Sequence, residues 1–207
     1  MSKHKTIFDK NIERVESLNA LYIQLKQDEK KDGKDYKLTD ILRTEVVFLH
    51  SSFEEYFRSV LLQWLPIKAS EETLRQIPIS VNAGKRPDKL YLNDIAKFRG
   101  KSVDEIINES VEEHLKLQSF NNQGEIRAWC TKIGIDLSTF GKLGDIDKAV
   151  HRRHKIVHEA DTNKNNNIER LQAIKPGDIT PWIKAYKDLV TLIDEYVSEW
   201  EEEECHA

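Results

Sequence analysis

The stretch at residues 40–65, DILRTEVVFLHSSFEEYFRSVLLQWL, decides the fold because its apolar residues keep a helical spacing throughout. They recur at steps of three and four residues, which places them on one face of an α-helix: Leu42, Val46, Leu49, Phe53, Tyr56, Val60 and Trp64. Additional apolar residues widen that face: Ile41, Phe48, Phe57 and Leu61. We therefore predict a central core helix over 38–65 that ends at Pro66.

Amphipathic spacing and start signals predict helices on both sides of this stretch. Residues 7–27 repeat the three- and four-residue steps. Ser102 followed by Glu105 forms a capping box, which opens a helix. A shorter helix is predicted over 122–133, and Gly134 is its stop signal.

The last third of the chain predicts two more helices. Asp145 can cap the first, which contains the stretch 149–161, and the polar run 161–167 should end it. Thr180 as N-cap with Pro181 at the first helical position predicts the start of the last helix.

The composition favours helices over strands. The 207 residues are 39% hydrophobic and 33% charged, with only 8 Gly and 5 Pro, as is typical of helices with solvated outer faces. We predict an all-α fold with a long central helix and extra short helices, in a single domain over 1–207. Residues 66–101 form an irregular insertion in this scheme, and 201–207 are an acidic end.

The cysteines and the apolar runs indicate the compartment. Cys130 and Cys205 cannot form a disulfide framework, which favours a reducing cytoplasm. The opening MSKHKTIFDK lacks the apolar region of a secretion signal, and no apolar run approaches the roughly 20 residues of a membrane span. We expect a cytoplasmic protein with no membrane partner. A net charge of −4 gives no strong signature of nucleic-acid binding by itself.

The stretch AVHRRHKIVHEAD, at residues 149–161, concentrates cationic and titratable side chains on a predicted helix. Arg153 falls between Val150 and Val157, where another apolar residue is expected. A buried arginine needs a carboxylate, a cleft or a bound anion. Three histidines are spaced by three and four residues and so share one face of this helix: His151, His154 and His158.

Three interpretations of these histidines compete. One is a metal site completed by Asp161 or Glu159, although there is no His-Glu-x-x-His pattern and no Glu three residues before these histidines. A second is an exposed basic face that contacts solvent or an acidic patch. A third is acid–base chemistry on a phosphodiester, in which a histidine moves a proton and an arginine binds the developing charge.

The sequence RHKIVH, with Arg153, His154 and His158, resembles the R-x(4-6)-H motif of the HEPN superfamily, where the position after the arginine is commonly Asn, Asp or His. Arg152 satisfies the looser spacing. The predicted helix at 40–65 resembles the family's second helix, upstream of the motif, and the closing amphipathic helix also fits. The resemblance implies a HEPN-like antiparallel helical bundle.

Many HEPN proteins are metal-independent endoribonucleases of toxin–antitoxin, CRISPR and other defence systems, and they act as dimers whose motifs meet in a shared cleft. The resemblance implies that His158 is the acid–base residue and that Arg153 stabilises the phosphate. Attack by the RNA's own 2′-hydroxyl would leave a cyclic phosphate and a free 5′-hydroxyl, with no metal or other cofactor. It also implies three partners: RNA, a second copy of the chain, and an antitoxin or defence complex.

Two other functions stay open at this point. One is a HEPN-fold module that binds RNA, nucleotide or a protein partner without catalysis. The other is a metal-dependent hydrolase built on the histidine face.

Helix geometry gives a separate indication of a dimer. Arg153 and His158 lie about 140° apart around an ideal helix and about 7.5 Å apart along it. One straight helix therefore does not aim both side chains at a single phosphate. Either the arginine curls round, the helix is distorted, or two chains supply the site together.

Other residues are predicted to support the site. Glu54 and Glu55 lie midway along the central helix, from where one carboxylate could reach Arg153, and the alternative is that both face water. We expect His154 to orient the site or to contact the RNA backbone, and the alternative is a surface position without a role. Basic residues interleave with aromatic ones in GKRPDKLY and KFRGK and predict RNA contacts, with solvated loop charge as the alternative: Lys85, Arg86, Lys89, Lys97, Arg99 and Lys101.

Overall fold

The computed structural model describes residues 1–32, 38–79, 92–163 and 170–206, and these ranges form eight helices and one small hairpin. The helices are α1 (Lys3–Asp32), α2 (Thr39–Lys68), α3 (Glu71–Arg75), α4 (Leu92–Ala96), α5 (Val103–Lys116), α6 (Gln123–Lys132), α7 (Leu143–Glu159) and α8 (Pro176–Cys205). The hairpin pairs β1 (Thr162–Asn163) with β2 (Arg170–Leu171), antiparallel. The predicted all-α class is confirmed, because each described strand has two residues.

Helix α2 is the centre of the fold and contacts α1, α5, α7 and α8. Its neighbour α1 runs antiparallel to it. His4, near the start of α1, is hydrogen-bonded to Gln63 near the end of α2 at 2.8 Å. Further along α1, Asn19 donates to the Glu45 carboxylate at 3.2 Å. The order of these pairs reverses along the two helices, as expected for neighbours joined by a short connection.

Helix α8 runs parallel to α2, with α7 packed against both. His50 Nδ1 lies 2.9 Å from the Tyr186 hydroxyl, and the Trp64 and Trp200 rings are 5.2 Å apart between centroids. The bundle therefore mixes antiparallel and parallel neighbours around α2. This arrangement brings the middle of α2, the motif helix α7 and the first third of α8 together.

The apolar face predicted for the central helix forms the main core. Its side chains are buried with at most 2% of their surface exposed: Leu42, Val46, Leu49, Phe53, Tyr56, Phe57, Val60, Leu61 and Trp64. Phe48 is an exception, since it is 39% exposed. Removing so many apolar side chains from water is the main source of the free energy that stabilises the fold.

Two proline predictions are wrong. Helix α2 continues through Pro66 to Lys68, because a proline's own φ is helical and only the preceding turn loses a hydrogen bond. Helix α8 begins at Pro176 rather than at Thr180, and Pro181 lies inside it. The earlier start has its own proline at the first turn, and the Asp178 carboxylate accepts from the backbone N–H of Lys175 at 2.8 Å.

Of the other residues predicted to start or stop a helix, some do so and one does not. The Ser102–Glu105 capping box is confirmed, with both of its reciprocal hydrogen bonds present. Gly134 follows α6 with φ of 85°, so the predicted stop is also confirmed. Asp145 is not the N-cap of α7, because the helix begins at Leu143 and places Asp145 in its first turn.

Candidate functional site

Helix α7 carries the motif stretch and ends in an unusual turn. Ala160 and Asp161, directly after the helix, both have left-handed backbones, with φ of 50° and 55°. Such conformations cost about 1 kcal/mol each for residues other than glycine. The turn is held by a hydrogen bond from the Asp161 N–H to the Lys155 carbonyl at 2.9 Å. As a result, the Asp161 side chain turns back toward the protein interior, where none of its surface is exposed.

Asp161 binds two arginines at once. Its Oδ2 atom accepts from Arg152 Nη2 at 2.8 Å and from Arg43 Nε on α2 at 2.7 Å. Both guanidinium groups also donate to the Gln172 carbonyl at 2.9 Å. Burial lowers the pKa of the Arg152 guanidinium, and the charge of Asp161 opposes that shift. The predicted supporting residue Arg152 is thus a buried structural residue that joins α7, α2 and the segment before α8.

Arg153 points to the other side of α7, toward α2 and α8. The side chain is half-buried, and its Nε has no hydrogen-bond partner among the described residues. Burial lowers the pKa of His50 and raises that of Tyr186, and the positive charge of Arg153 acts on both groups in the downward direction. Arg153 therefore occupies the apolar stripe, as its position in the sequence predicted.

His50 forms a buried polar cluster next to Arg153. The ring has no exposed surface, and its Nε2 lies 3.7 Å from the Glu54 carboxylate. Burial lowers the pKa of His50, Glu54 raises it and Arg153 lowers it further, with a net downward shift. A histidine with this environment is neutral near pH 7. The Tyr186 hydroxyl, which contacts Nδ1, has a raised pKa because it is buried.

The two candidate carboxylates on α2 point in different directions. Glu54 is half-buried in the His50 cluster, on the side of Arg153, although the described chain contains no ion pair between Glu54 and Arg153. Glu55 is exposed and lies beside α1, where its carboxylate accepts from Ser59 at 3.4 Å. Only Glu54 is placed where it can influence the motif arginine.

His154 and His158 lie together at the end of α7. Both are exposed, and their rings are in contact, with centroids 4.7 Å apart and planes tilted by 43°. His151 is exposed as well, but it lines a groove toward the start of α8. Within the described chain, no hydrogen bond, ion pair or ring contact joins Arg153 to His158. Positions 153 and 158 are about 140° apart around this α-helix, so a single copy presents the predicted arginine and histidine on different sides of α7.

The predicted RNA-binding residues are only partly described. Lys85, Arg86 and Lys89 lie outside the described residues. Near the start of α5, Lys101 pairs with Glu109 at 2.6 Å, and on the preceding turn Lys97 pairs with Asp94 at 3.4 Å. Arg99 between them is exposed.

The sequence did not predict the shared role of Arg43 and Asp161 or the groove beside His151. For the pairing of Arg43 with Asp161, the sequence offered only the general rule that a buried arginine needs a carboxylate. That rule does not identify the carboxylate. In the part of the chain that the structure describes, no three His, Cys, Asp or Glu residues are close enough to hold a metal ion. None of the helices among the same residues is long and apolar enough to cross a membrane.

An all-α bundle whose central helix packs against a helix with an R-x4-H motif defines the HEPN class of domains. The family model described as RiboL-PSP-HEPN matches residues 9–199, and the chain belongs to this family. The predicted HEPN resemblance is confirmed by this match. No curated protein and no solved structure matches the chain.

Proposed function

We propose that this HEPN-fold protein is a metal-independent endoribonuclease of a toxin or defence system, acting as a homodimer. HEPN domains often bind RNA and dimerise, and the motif residues sit on an accessible helix. The observation that carries the proposal is the pair of exposed imidazoles in contact at the end of α7. They lie on the same helix as a guanidinium whose buried Nε lacks an acceptor among the described residues. An anionic phosphate would supply that acceptor.

In the proposed reaction, His158 removes the proton from an RNA 2′-hydroxyl, and the 2′-oxygen attacks the adjacent phosphorus. The bond from phosphorus to the 5′-oxygen breaks, and that oxygen takes a proton from a second imidazole, that of His154, whose ring lies against His158. Arg153 stabilises the charge that develops on the phosphate. The products are a 2′,3′-cyclic phosphate and a free 5′-hydroxyl.

A dimer is proposed because one copy keeps Arg153 and His158 apart. Val157, directly before His158, has 47% of its surface exposed and is therefore accessible to a second copy. Two-fold pairing would bring the Arg153 of one copy to the His158 of the other. From their positions on α2, Glu54 and His50 would hold Arg153 in place.

The test is incubation of purified protein with total RNA in the presence of EDTA, followed by analysis of the fragment ends. We expect cyclic phosphates and 5′-hydroxyls, and a loss of at least about 100-fold in rate for His158→Ala and for Arg153→Ala. His206→Ala, which removes an exposed histidine near the C-terminus, is the matched control and should cleave at the original rate.

Two results would contradict the proposal. Activity that disappears with the chelator would indicate a metal-dependent hydrolase. RNA binding without cleavage, unchanged by His158→Ala, would indicate the second candidate, a HEPN-fold module without catalysis. The separation of Arg153 from His158 in one copy is the observation that favours this second candidate.

A further inference from the structure

A groove between α7 and the start of α8 lies beside the motif and has no part in the proposed chemistry. Its volume is about 540 Å³, within the range of small-ligand sites. One wall is α7, with Lys148, His151 and Lys155. The facing wall includes Trp182 on α8, whose ring is half-buried.

The basic residues of this wall lead to the histidine of the motif. Lys148, His151 and Lys155 are spaced by three and four residues, and His158 comes three residues later on the same face. From Lys148 to His158 the helix rises about 15 Å, which is enough for a few nucleotides. A strand lying in the groove would therefore run toward the position of the cleaved phosphate.

The local charge favours an anionic occupant. Lys148 is paired with Asp145 at 2.8 Å, but 69% of its side chain is exposed. Lys155 and His151 form no ion pair with any described residue. Asp178, the other acid of the groove, already accepts from the backbone N–H of Lys175. The lining holds three cationic side chains, Lys148, Arg152 and Lys155, against these two acids, and the small positive excess suits a phosphate.

An unsatisfied donor adds an independent indication. Arg152 lines the groove with less than a tenth of its surface exposed, and its buried Nε has no acceptor among the described residues. A buried donor without a partner is costly. A phosphate oxygen in the groove would reduce that cost after a small movement of the side chain.

We infer that this groove binds the single-stranded RNA segment next to the cleaved bond, with one base stacked on Trp182 and phosphates at Lys148 and Lys155. The identity of the ligand as RNA rests on the proposed function. Aromatic stacking on a base is tolerant of sequence, so the groove would contribute affinity for single strands rather than sequence choice.

The test measures binding of a fluorescent 2′-O-methyl oligoribonucleotide of about twelve nucleotides, which cannot be cleaved. For Lys148→Glu/Lys155→Glu we expect at least tenfold weaker binding and a salt dependence of log Kd that is shallower by about 1.4. Trp182→Leu keeps an apolar side chain and should weaken binding about tenfold without changing the salt dependence. The matched control is Lys3→Glu/Lys10→Glu, two exposed lysines at the same seven-residue spacing on α1, which should bind as the original protein does.

The outcomes separate this inference from the proposed function. If the groove variants bind the probe normally while the original protein cleaves RNA, the groove inference is overturned and the ribonuclease stands. If the groove variants lose binding while the original protein never cleaves, the groove stands and the ribonuclease is overturned. Equal or tighter binding of an RNA duplex, or of a polyglutamate peptide, would also overturn the inference, because the groove would then not select single strands.

Discussion

Glu45 is a buried acid that the proposed chemistry does not use. It lies on α2 with none of its surface exposed, facing α1, and its carboxylate accepts hydrogen bonds from the Asn19 amide. Burial raises its pKa from 4.5 to about 7; the Asn19 hydrogen bond lowers it, and the charge of Glu16 raises it. The folded protein therefore binds this proton more tightly than the unfolded chain does.

This raised pKa predicts a loss of stability as the pH rises. Below about pH 4.5 Glu45 is protonated in both states, and the full stability is present. As the pH rises from 4.5 through 7, ionisation in the folded state becomes costly, and the free energy of unfolding falls by about 3 kcal/mol. Glu45→Gln should remove this part of the pH dependence, so the variant gains about 3 kcal/mol relative to the original protein between pH 4 and pH 8.

Urea unfolding at a series of pH values measures this difference. Glu55→Gln is the control, since Glu55 is on the same helix but exposed, and it should leave the profile unchanged. Parallel profiles for the original protein and Glu45→Gln would show that the folded protein does not raise the pKa of Glu45.

Two neighbouring arginines show what a single residue's sequence position can and cannot predict. The break in the apolar spacing identified Arg153 as an unusual residue, and it does lie against the core beside His50. The spacing did not separate it from Arg152, which also fits the motif. The two arginines differ in their partners, because Arg152 shares the Asp161 carboxylate with Arg43. Arg43 is 118 residues from Asp161 in sequence. Long-range pairing of this kind is not encoded in local spacing.

At the scale of elements, Asp161 joins the end of α7 to α2. Asp161→Asn keeps the shape of the side chain, and asparagine accepts the left-handed backbone well, but the variant leaves the guanidinium groups of Arg152 and Arg43 without their buried carboxylate. We expect the free energy of unfolding to fall by about 3 kcal/mol or more, measured by urea unfolding at neutral pH.

Asp40→Asn provides the matched control for this ion pair. Asp40 also pairs with Arg43, at 3.3 Å, but its side chain is 70% exposed. Exposed pairs contribute at most about 1 kcal/mol, so a small loss is expected. Equal losses for the two variants would contradict a special role for the buried carboxylate.

Helices as elements were predictable, but their ends were less so. Apolar spacing is averaged over many turns, and it therefore located α1, α2 and α8 despite errors at individual positions. An end depends on one or two residues. Pro176 and Pro181 both carry the signal of a first turn, and only the cap supplied by Asp178 distinguishes them. Pro66 likewise shows that a proline permits a helix to continue beyond it.

At the scale of the whole molecule, the separation of Arg153 from His158 leads to a prediction about subunits. If each active site takes its arginine from one copy and its histidine from the other, two inactive variants can complement each other. A dimer of one Arg153→Ala chain and one His158→Ala chain has one intact site and one site that lacks both groups. Half of the dimers in an equimolar, exchanged mixture are of this kind, so cleavage should recover to about one quarter of the original rate.

A second mixture makes this prediction sharper. The doubly substituted chain, Arg153→Ala/His158→Ala, forms only inactive mixed dimers with the original chain if sites are shared, because each site then lacks one group. An equimolar mixture should therefore keep about one quarter of the rate, from the original homodimers alone. If each copy instead builds its own site, the same mixture keeps about half, and the mixture of single variants recovers nothing. Cleavage of a fluorescent RNA in EDTA, measured after subunit exchange, distinguishes the two arrangements because the shared site requires equal rates from the two mixtures.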